Sequence, residues 1–368
     1  IMPSLVGSEM CIRDRLWLTI NQWNLDHVTP TNPNMTSAQT KKPSTQDSNN
    51  TKEAPGVLGL SDKLPTVTVE GRPIETSENP RIASKLVTVK TDVLELGINP
   101  DKGGDIVQAK LLKYFPSKEE TSMPIELLSY NEDSYQYFQT GLLSLNNLPE
   151  PNHQQVFVES YKKLELREGQ EQVSTSFVWR ANQGQANLEV VKTYTLKKGR
   201  YDILLTYDVK NLGTQDYTFV LYNQLVKKDK QQERSMFDVE TYSFNGPIIY
   251  DGSSYEKLDI SELGSVPTTT THTNGWASNI QHHFLVAMVP EQNQPYTYTA
   301  TADPGNGLYK VATIGQTPVT IRPGSRARAS TTLVIGPKIQ EQLRDVAQGL
   351  ELSVDFGVLA FLSPPLFW

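Results

Sequence analysis

The sequence contains few of the residues on which thiol or metal chemistry depends. Of its 368 residues, one is cysteine, Cys11, and five are histidine. A disulfide needs two cysteines and a structural zinc site needs several thiolate or imidazole ligands, so the sequence supports neither. His282 and His283 follow a possible strand entry, and because neighbours in a strand point to opposite faces, we expect them not to share a metal ion. The sequence therefore predicts no metal and no cofactor.

Positive charge and long apolar runs are also lacking. With 34 basic against 41 acidic residues the net charge is -7, so nothing favours a phosphate backbone and nucleic acid is not an expected partner. No run of about 18 or more apolar residues occurs, so the sequence as written contains no complete transmembrane helix.

Recognisable catalytic motifs are missing as well. The sequence has no Gly-x-Ser-x-Gly elbow, no His-Glu-x-x-His, no phosphate-binding loop and no Cys-x-x-Cys pair. Glycosidases use paired carboxylates, but the spacing of Asp238, Glu240 and Asp251 does not distinguish them from solvated strand faces. We therefore expect no enzymatic activity, while a standalone carbohydrate-binding or protein-interaction β-sandwich stays open as an alternative.

Alternation of apolar and polar residues with a period of two dominates the sequence from about residue 81. It predicts a strand over 86–96 that ends at Gly97, followed by a glycine turn at 103–104 and a second strand. Further strands are predicted at 173–179, 188–196, 201–209, 218–226, 284–289, 296–302, 308–314, 319–321 and 327–335. Lys198-Gly199-Arg200 is typical of a tight hairpin turn. This pattern indicates a mainly β protein, a large antiparallel sandwich of two sheets.

Composition divides the rest of the chain into segments. Residues 1–15 resemble translated adapter sequence, a genuine variable N-terminus being the alternative. Residues 16–27 contain a short apolar stretch followed by Trp23, and are interpreted as the remnant of an N-terminal transmembrane helix. Residues 28–60 contain few apolar side chains that could form a core and are predicted to be a disordered tether. We assign 61–337 to the sandwich domain, and 338–368 to a connecting helix and the start of an amphipathic interfacial helix.

The apolar spacing changes to the helical period after Pro337. Four apolar residues recur at steps of four, three and four, which marks one face of a short helix that ends near Gly349. Such a stripe must pack on the sandwich or on a partner, and we assign it to docking. Its members are Ile339, Leu343, Val346 and Leu350.

The last residues form a second apolar segment, which carries no charge after Asp355. This composition is typical of a segment at a bilayer interface, the alternative being an ordinary C-terminal segment docked on the core. The residues assigned to the membrane interface are Phe361, Leu362, Leu366, Phe367 and Trp368.

Several segments resemble the periplasmic domain of YidC-type bacterial membrane-protein insertases and the stretch that joins it to the membrane core. The most specific are Gly336-Pro337-Lys338-Ile339-Gln340, residues 350–357 and Pro365-Leu366-Phe367. Supporting matches lie at 88–93, 103–106, 244–247, 255–257, 275–277 and 281–284, and extend the resemblance over residues 82–368.

The resemblance implies a mutarotase-like β-supersandwich, tethered to the bacterial inner membrane and facing the periplasm. It also implies a chaperone-like role in inserting and folding inner-membrane proteins, alone or with the Sec translocon. The implied partners are nascent inner-membrane proteins, accessory subunits of the Sec translocon and the lipid bilayer interface. On this resemblance the family's five-helix membrane core, with its arginine-bearing hydrophilic groove, would follow Trp368. The residues that carry insertion in the family are then not in this sequence.

Overall fold

The structure is a computed structural model that describes residues 86–117, 122–130, 134–183, 186–228 and 244–353. The predicted segments 1–15, 16–27 and 28–60 lie outside the described residues. So do the five residues assigned to the membrane interface, 361, 362 and 366–368.

Strands dominate the described part of the chain. The first ten are β1 (Val87–Lys90), β2 (Leu94–Asn99), β3 (Asp105–Leu111), β4 (Ile125–Tyr130), β5 (Tyr135–Ser144), β6 (Val158–Glu159), β7 (Lys163–Glu165), β8 (Gln172–Gln183), β9 (Ala186–Lys197) and β10 (Asp202–Asn211). The next ten are β11 (Tyr217–Lys228), β12 (Gly246–Tyr250), β13 (Tyr255–Lys257), β14 (Thr268–Thr273), β15 (Trp276–Ile280), β16 (Phe284–Pro290), β17 (Pro295–Asp303), β18 (Leu308–Gly315), β19 (Val319–Ile321) and β20 (Arg326–Pro337).

Helical segments are short. Two are α-helical, α1 (Ile260–Leu263) and α2 (Gln340–Val346). Three turns of 3-10 helix are described as well, at Pro100–Lys102, Pro304–Asn306 and Leu350–Ser353.

The strands form two sheets. Within the described residues the first sheet has the order β14-β17-β18-β11-β5-β4-β3-β2-β1-β7, with β19 paired to β11. The second sheet has the order β13-β12-β15-β16-β20-β10-β9-β8-β6. Nearly all pairings are antiparallel, the described exception being β1 with β7. The prediction of a mainly β, two-sheet antiparallel protein is confirmed.

The two sheets bury one shared core between them. Ile106 and Phe138 of the first sheet and Val190 and Tyr207 of the second belong to a single cluster of buried side chains. Strand β9 shows how the sequence produces this, because every second residue is buried along its length. The hairpin turn predicted at Lys198-Gly199-Arg200 is also present, with Gly199 in the left-handed region at φ 67°.

The prediction of a single strand over 86–96 that ends at Gly97 is wrong. The segment is a hairpin of β1 and β2, and Gly97 lies inside β2 next to a register shift. Thr91 makes the turn, because its Oγ1 accepts hydrogen bonds from the backbone N–H of Val93 and Leu94 at 3.3 and 3.0 Å. A side-chain turn of this kind interrupts a strand without glycine or proline, which is why the alternation hides it.

Candidate functional site

The segment after β20, residues 338–353, is held against the second sheet, and contacts begin already at the end of β20. A Cβ on Gly336 would come within 2.6 Å of the Tyr201 ring, so a larger residue cannot occupy this position without moving that ring. The backbone N–H of Lys338 then donates to the carbonyl of His283 at 3.0 Å. Helix α2 follows, and the N–H of Leu343 donates to the carbonyl of Ile339 at 3.0 Å.

Helix α2 packs on the outer face of the second sheet, away from the main core. Residues of β12 and β15 alternate between the two faces: Ile249 and Ala277 point to the main core, and Ile248, Tyr250 and Trp276 point outward. These outward side chains form a second apolar cluster together with residues of the segment after β20. The members contributed by that segment are Leu343, Ala347 and Leu350, with Val346 packed against them.

The turn after α2 depends on a glycine. Gly349 has φ 74°, and a Cβ there would lie 2.5 Å from Cζ of Tyr250. The ring of Tyr250 is stacked on Trp276, with centroids 5.2 Å apart. The indole Nε1 of Trp276 in turn donates to the carbonyl of Gln348 at 3.2 Å. The stacked pair therefore fixes both the side chains and the backbone of this turn.

Polar contacts between α2 and the turn before β10 add to the apolar ones. The guanidinium of Arg200 contacts Asp202 at 2.6 Å and Asp345 at 2.9 Å, and Gln342 Nε2 donates to the carbonyl of Gly199 at 3.1 Å. Exposed ion pairs contribute about 0–1 kcal/mol, whereas full burial of one leucine contributes about 1.5–3 kcal/mol. Leu343 and Leu350 are fully buried, so apolar contact is the main source of docking.

An open cleft of about 710 Å³ lies beside the start of this segment. Its lining includes Tyr114, Phe115, Ile125, Phe284, Pro337 and Ile339. Tyr114 and Phe284 meet edge to face, with ring centroids 5.6 Å apart. Lys338 and His283 add two polar groups to this mostly apolar lining.

A buried polar cluster on the other side of the second sheet is the second unusual feature. Lys192 points inward from β9 and is completely buried, and its Nζ donates to the carbonyls of Gly103 and Gly104 at 2.8 and 3.1 Å. The hydroxyl of Tyr194 donates to the same Gly104 carbonyl at 2.7 Å. Lys192 thus ties the turn before β3, in the first sheet, to the second sheet.

The electrostatics of this cluster follow from burial. Burial raises the pKa of the Asp105 carboxyl to about 8, against the opposing positive charge of Lys192. Burial also lowers the pKa of the Lys192 amine to about 7, against the opposing charge of Asp105. Asp105 Oδ2 accepts from Gln139 at 3.1 Å, while Oδ1 has no hydrogen-bond partner among the described residues.

The comparisons with known proteins decide the family. A model of the YidC periplasmic domain matches residues 86–368, which includes both the sandwich and the segment after β20. This chain belongs to the YidC periplasmic domain family. The resemblance seen in the sequence is confirmed.

The curated relatives carry the name membrane protein insertase YidC. The chain is 28% identical over 365 residues to the one from Pseudomonas fluorescens, covering 96% of this chain and 62% of the relative. It is 34% identical over 318 residues to the one from Coxiella burnetii, covering 85% of this chain and 53% of the relative. The chain therefore spans between half and two thirds of these relatives' length.

Solved structures with a similar backbone come from another group of proteins. One is a galactose mutarotase-related enzyme from Lactobacillus acidophilus, with 10% identity and a TM-score of 0.46, covering 68% of this chain and 97% of that one. Similarity at this level bears on neither substrate nor catalysis.

Three members of the docking stripe predicted from the sequence, Leu343, Val346 and Leu350, share the outer cluster, whereas Ile339 packs against the main core. The four residues also do not lie on a single helix. Leu343 and Val346 lie on α2, whereas Ile339 precedes the helix with extended backbone and Leu350 lies in the 3-10 turn after it. The prediction of one helix from near Pro337 to near Gly349 is wrong in this respect. Ala347 is extended, at φ -157° and ψ 149°, and interrupts it.

The histidine pair differs from its predicted geometry. His282 and His283 lie in the turn between β15 and β16, and their rings meet with centroids 4.0 Å apart. The expectation that they point to opposite faces of a strand is wrong. Within the described residues no group of three or more His, Cys, Asp or Glu side chains is arranged to hold a metal ion.

The carboxylates considered as sugar-site candidates separate. Asp238 and Glu240 lie outside the described residues. Asp251 caps its own turn, since its Oδ1 accepts from the N–H groups of Ser253 and Ser254, both at 2.7 Å, and these bonds hold its pKa well below the usual range. Its role is accounted for by local structure.

Sequence reasoning missed the Lys192 cluster. A signal was available, because Lys192 occupies an inward position in the alternating series Leu188, Val190, Lys192, Tyr194 and Leu196. A lysine in phase with buried residues indicates a buried amine that needs acceptors.

Within the described ranges no helix is long and apolar enough to cross a membrane.

Proposed function

We propose that this chain is the periplasmic part of a membrane-protein insertase that assists the insertion and folding of bacterial inner-membrane proteins. The observation that supports this most strongly is the family match over residues 86–368, which continues through the segment after β20. The clients would be nascent inner-membrane proteins, and the domain would face the periplasm from the inner membrane.

Docking of the segment after β20 gives this proposal a physical mechanism. Two fully buried leucines, Leu343 and Leu350, fasten the segment to the outer face of the second sheet. Because closely packed interiors transmit strain, a displacement of the sandwich would also displace the chain that follows Ser353. The sandwich would thereby set the position of that chain relative to an emerging client.

The finer parts of the proposal concern partners. A chaperone-like contribution is supported by the apolar cleft beside Ile339, which could hold an apolar side chain of a client in transit. Contact with Sec accessory subunits and placement of Phe361, Leu362, Leu366, Phe367 and Trp368 at the bilayer interface are proposed on the resemblance described above.

No covalent step is needed for such a role. Moving an apolar segment from water into a bilayer is favourable at about 25 cal/mol per Å² of apolar surface, so the assisting protein has to guide the segment rather than catalyse a reaction. The proposed function is therefore that of an accessory domain without enzymatic turnover.

The test is a chimera in which residues 86–368 of this chain replace the corresponding region of the Coxiella burnetii relative. In cells depleted of their own insertase, we expect the chimera to restore insertion of a reporter membrane protein, measured by protease protection, to at least about half the level of the intact relative. A chimera that reaches the membrane in equal amount but restores no insertion would contradict the proposal.

A further inference from the structure

The free edges of the two sheets differ sharply in length and charge. Three of the four strands that end the two described strand orders are β6, β7 and β13, which have two or three residues each and contain glutamate or lysine. A further strand, β19, pairs with β11 beside that order and has three residues. Short, charged edge strands are how soluble proteins prevent unwanted strand pairing. These three edges are protected in that way.

The fourth edge, β14, has none of these protections. It has six residues with the sequence Thr-Thr-Thr-Thr-His-Thr, so it carries no lysine, arginine, acid or proline. Its register with β17 runs through all six residues without a bulge. Among the described residues, β14 pairs with β17 alone, and none of its backbone groups bonds to a neighbouring loop.

The chemistry of this edge defines what would complement it. Every second residue of β14 directs its backbone N–H and C=O away from β17, along an edge about 20 Å long. Thr269, Thr271 and Thr273 are exposed and offer methyl and hydroxyl groups with no charge. Val266, just before the strand, is 72% exposed and adds an apolar side chain at one end. An uncharged, extended polypeptide rich in β-branched residues matches all of these features.

We propose that the free edge of β14 is a docking site that takes up an extended, uncharged segment of another polypeptide as an additional antiparallel strand. That this polypeptide is a client of the insertase rests on the proposed function. The addition of a strand to the edge of β14 does not depend on it. Recognition through the backbone tolerates many sequences, which suits a protein that handles varied clients.

The test measures binding of a defined peptide to the full 368-residue chain. The probe is a fluorescein-labelled peptide with a core of three Thr-Val repeats and Gly-Ser ends, followed by fluorescence anisotropy. The same peptide with every second backbone amide N-methylated keeps the side chains but cannot add as a strand. We expect the first peptide to bind and the N-methylated peptide to bind at least about tenfold more weakly.

Matched variants locate the site. Thr269→Lys with Thr273→Lys places two charges on the edge, and we expect binding at least about tenfold weaker. Leu204→Lys with Leu212→Lys adds the same charge at positions that are 42% and 55% exposed, away from any free edge, and should bind as the unaltered chain does. Thermal unfolding of each variant verifies that it is folded.

Three results would overturn the proposal: no binding of the unmodified peptide, equal binding of the N-methylated peptide, or equal loss in both lysine pairs. A chain that is dimeric in sedimentation, and is made monomeric by the Thr269→Lys and Thr273→Lys pair, would overturn it too, because a second copy then occupies the edge. The measurement needs no insertion activity. If the chain binds the peptide but its chimera does not restore insertion of the reporter, the strand-docking site is supported, and only the identification of its occupant as an insertase client is lost.

Discussion

Buried polar side chains near the turn before β3 connect the two sheets. His153 lies in the loop that covers this turn, and its Nδ1 hydrogen-bonds to the hydroxyl of Tyr222. A Cβ on Gly103 would come within 2.4 Å of the Cα of His153, so the loop and the turn are in direct contact. With the Lys192 amine on the Gly103 and Gly104 carbonyls, the turn is held from two sides.

His153 gives the domain a specific dependence on pH. Burial, together with the positive charges of Lys310, Lys192 and Lys102, lowers the pKa of His153 to about 4. The unfolded chain has a histidine pKa of about 6.5, so between these values the unfolded state binds more protons. His153 therefore contributes stability above pH 6.5 that is lost as the pH falls to about 4, amounting to up to ~3 kcal/mol.

We predict that His153→Gln removes this part of the pH dependence. Between pH 7 and pH 4 the unaltered chain should lose up to ~3 kcal/mol more unfolding free energy than the variant, as measured by chemical denaturation. Asp105 also titrates in this range, but it is present in both proteins and cancels in the difference. His272→Gln is the control, since this histidine lies on strand β14 and is not part of this turn, so the variant should keep the slope. A difference that is the same at both pH values would disprove the assignment.

Helix α2 and its flanking turns act as one docked element. The helix is too short to be stable alone, because isolated helices need about 12–15 residues even with favourable sequences. Its stability must come from packing on Tyr250 and Trp276, and Gly349 is the residue that lets the chain approach the Tyr250 ring.

A pair of glycine substitutions separates this contact from backbone strain. Gly349 and Gly199 have φ of 74° and 67°, but a Cβ on Gly199 would meet nothing within 4 Å. Gly199→Ala should cost only the left-handed backbone penalty of about 1–2 kcal/mol. Gly349→Ala adds a clash worth about 1–3 kcal/mol more, and should also make residues 340–353 more sensitive to proteolysis. Equal unfolding free energies for the two variants would show that the Tyr250 contact does not hold the turn.

The sequence predicted elements best where one face of a strand is buried. Strands β9, β10, β17, β18 and β20 were predicted within three residues of their bounds, because alternation marks a half-buried strand. Strand β14 was not predicted, because its sequence is almost entirely threonine on both faces and shows no alternation of apolar and polar residues.

At the scale of the whole molecule, sequence and structure agree on a two-sheet sandwich followed by a docked segment. The strand pattern predicted the two-sheet sandwich and the family resemblance its mutarotase-like type, but neither specifies how the twenty described strands are ordered in the two sheets. The stripe after β20 could be predicted as apolar, but not which face it covers. That depends on outward residues such as Tyr250 and Trp276, which are far away in the sequence.

The central claim is that the sandwich acts through the segment docked on its second sheet, and insertion by the chimera tests it most directly. Leu343→Asp places a charge in the buried contact, whereas Leu352→Asp places the same charge at a neighbouring leucine that is 46% exposed. With equal amounts of folded chimera in the membrane, we predict that Leu343→Asp lowers protease-protected reporter at least about fivefold and Leu352→Asp leaves it unchanged, because only the first change buries an unpaired charge. Unchanged insertion by the Leu343→Asp chimera would contradict the account.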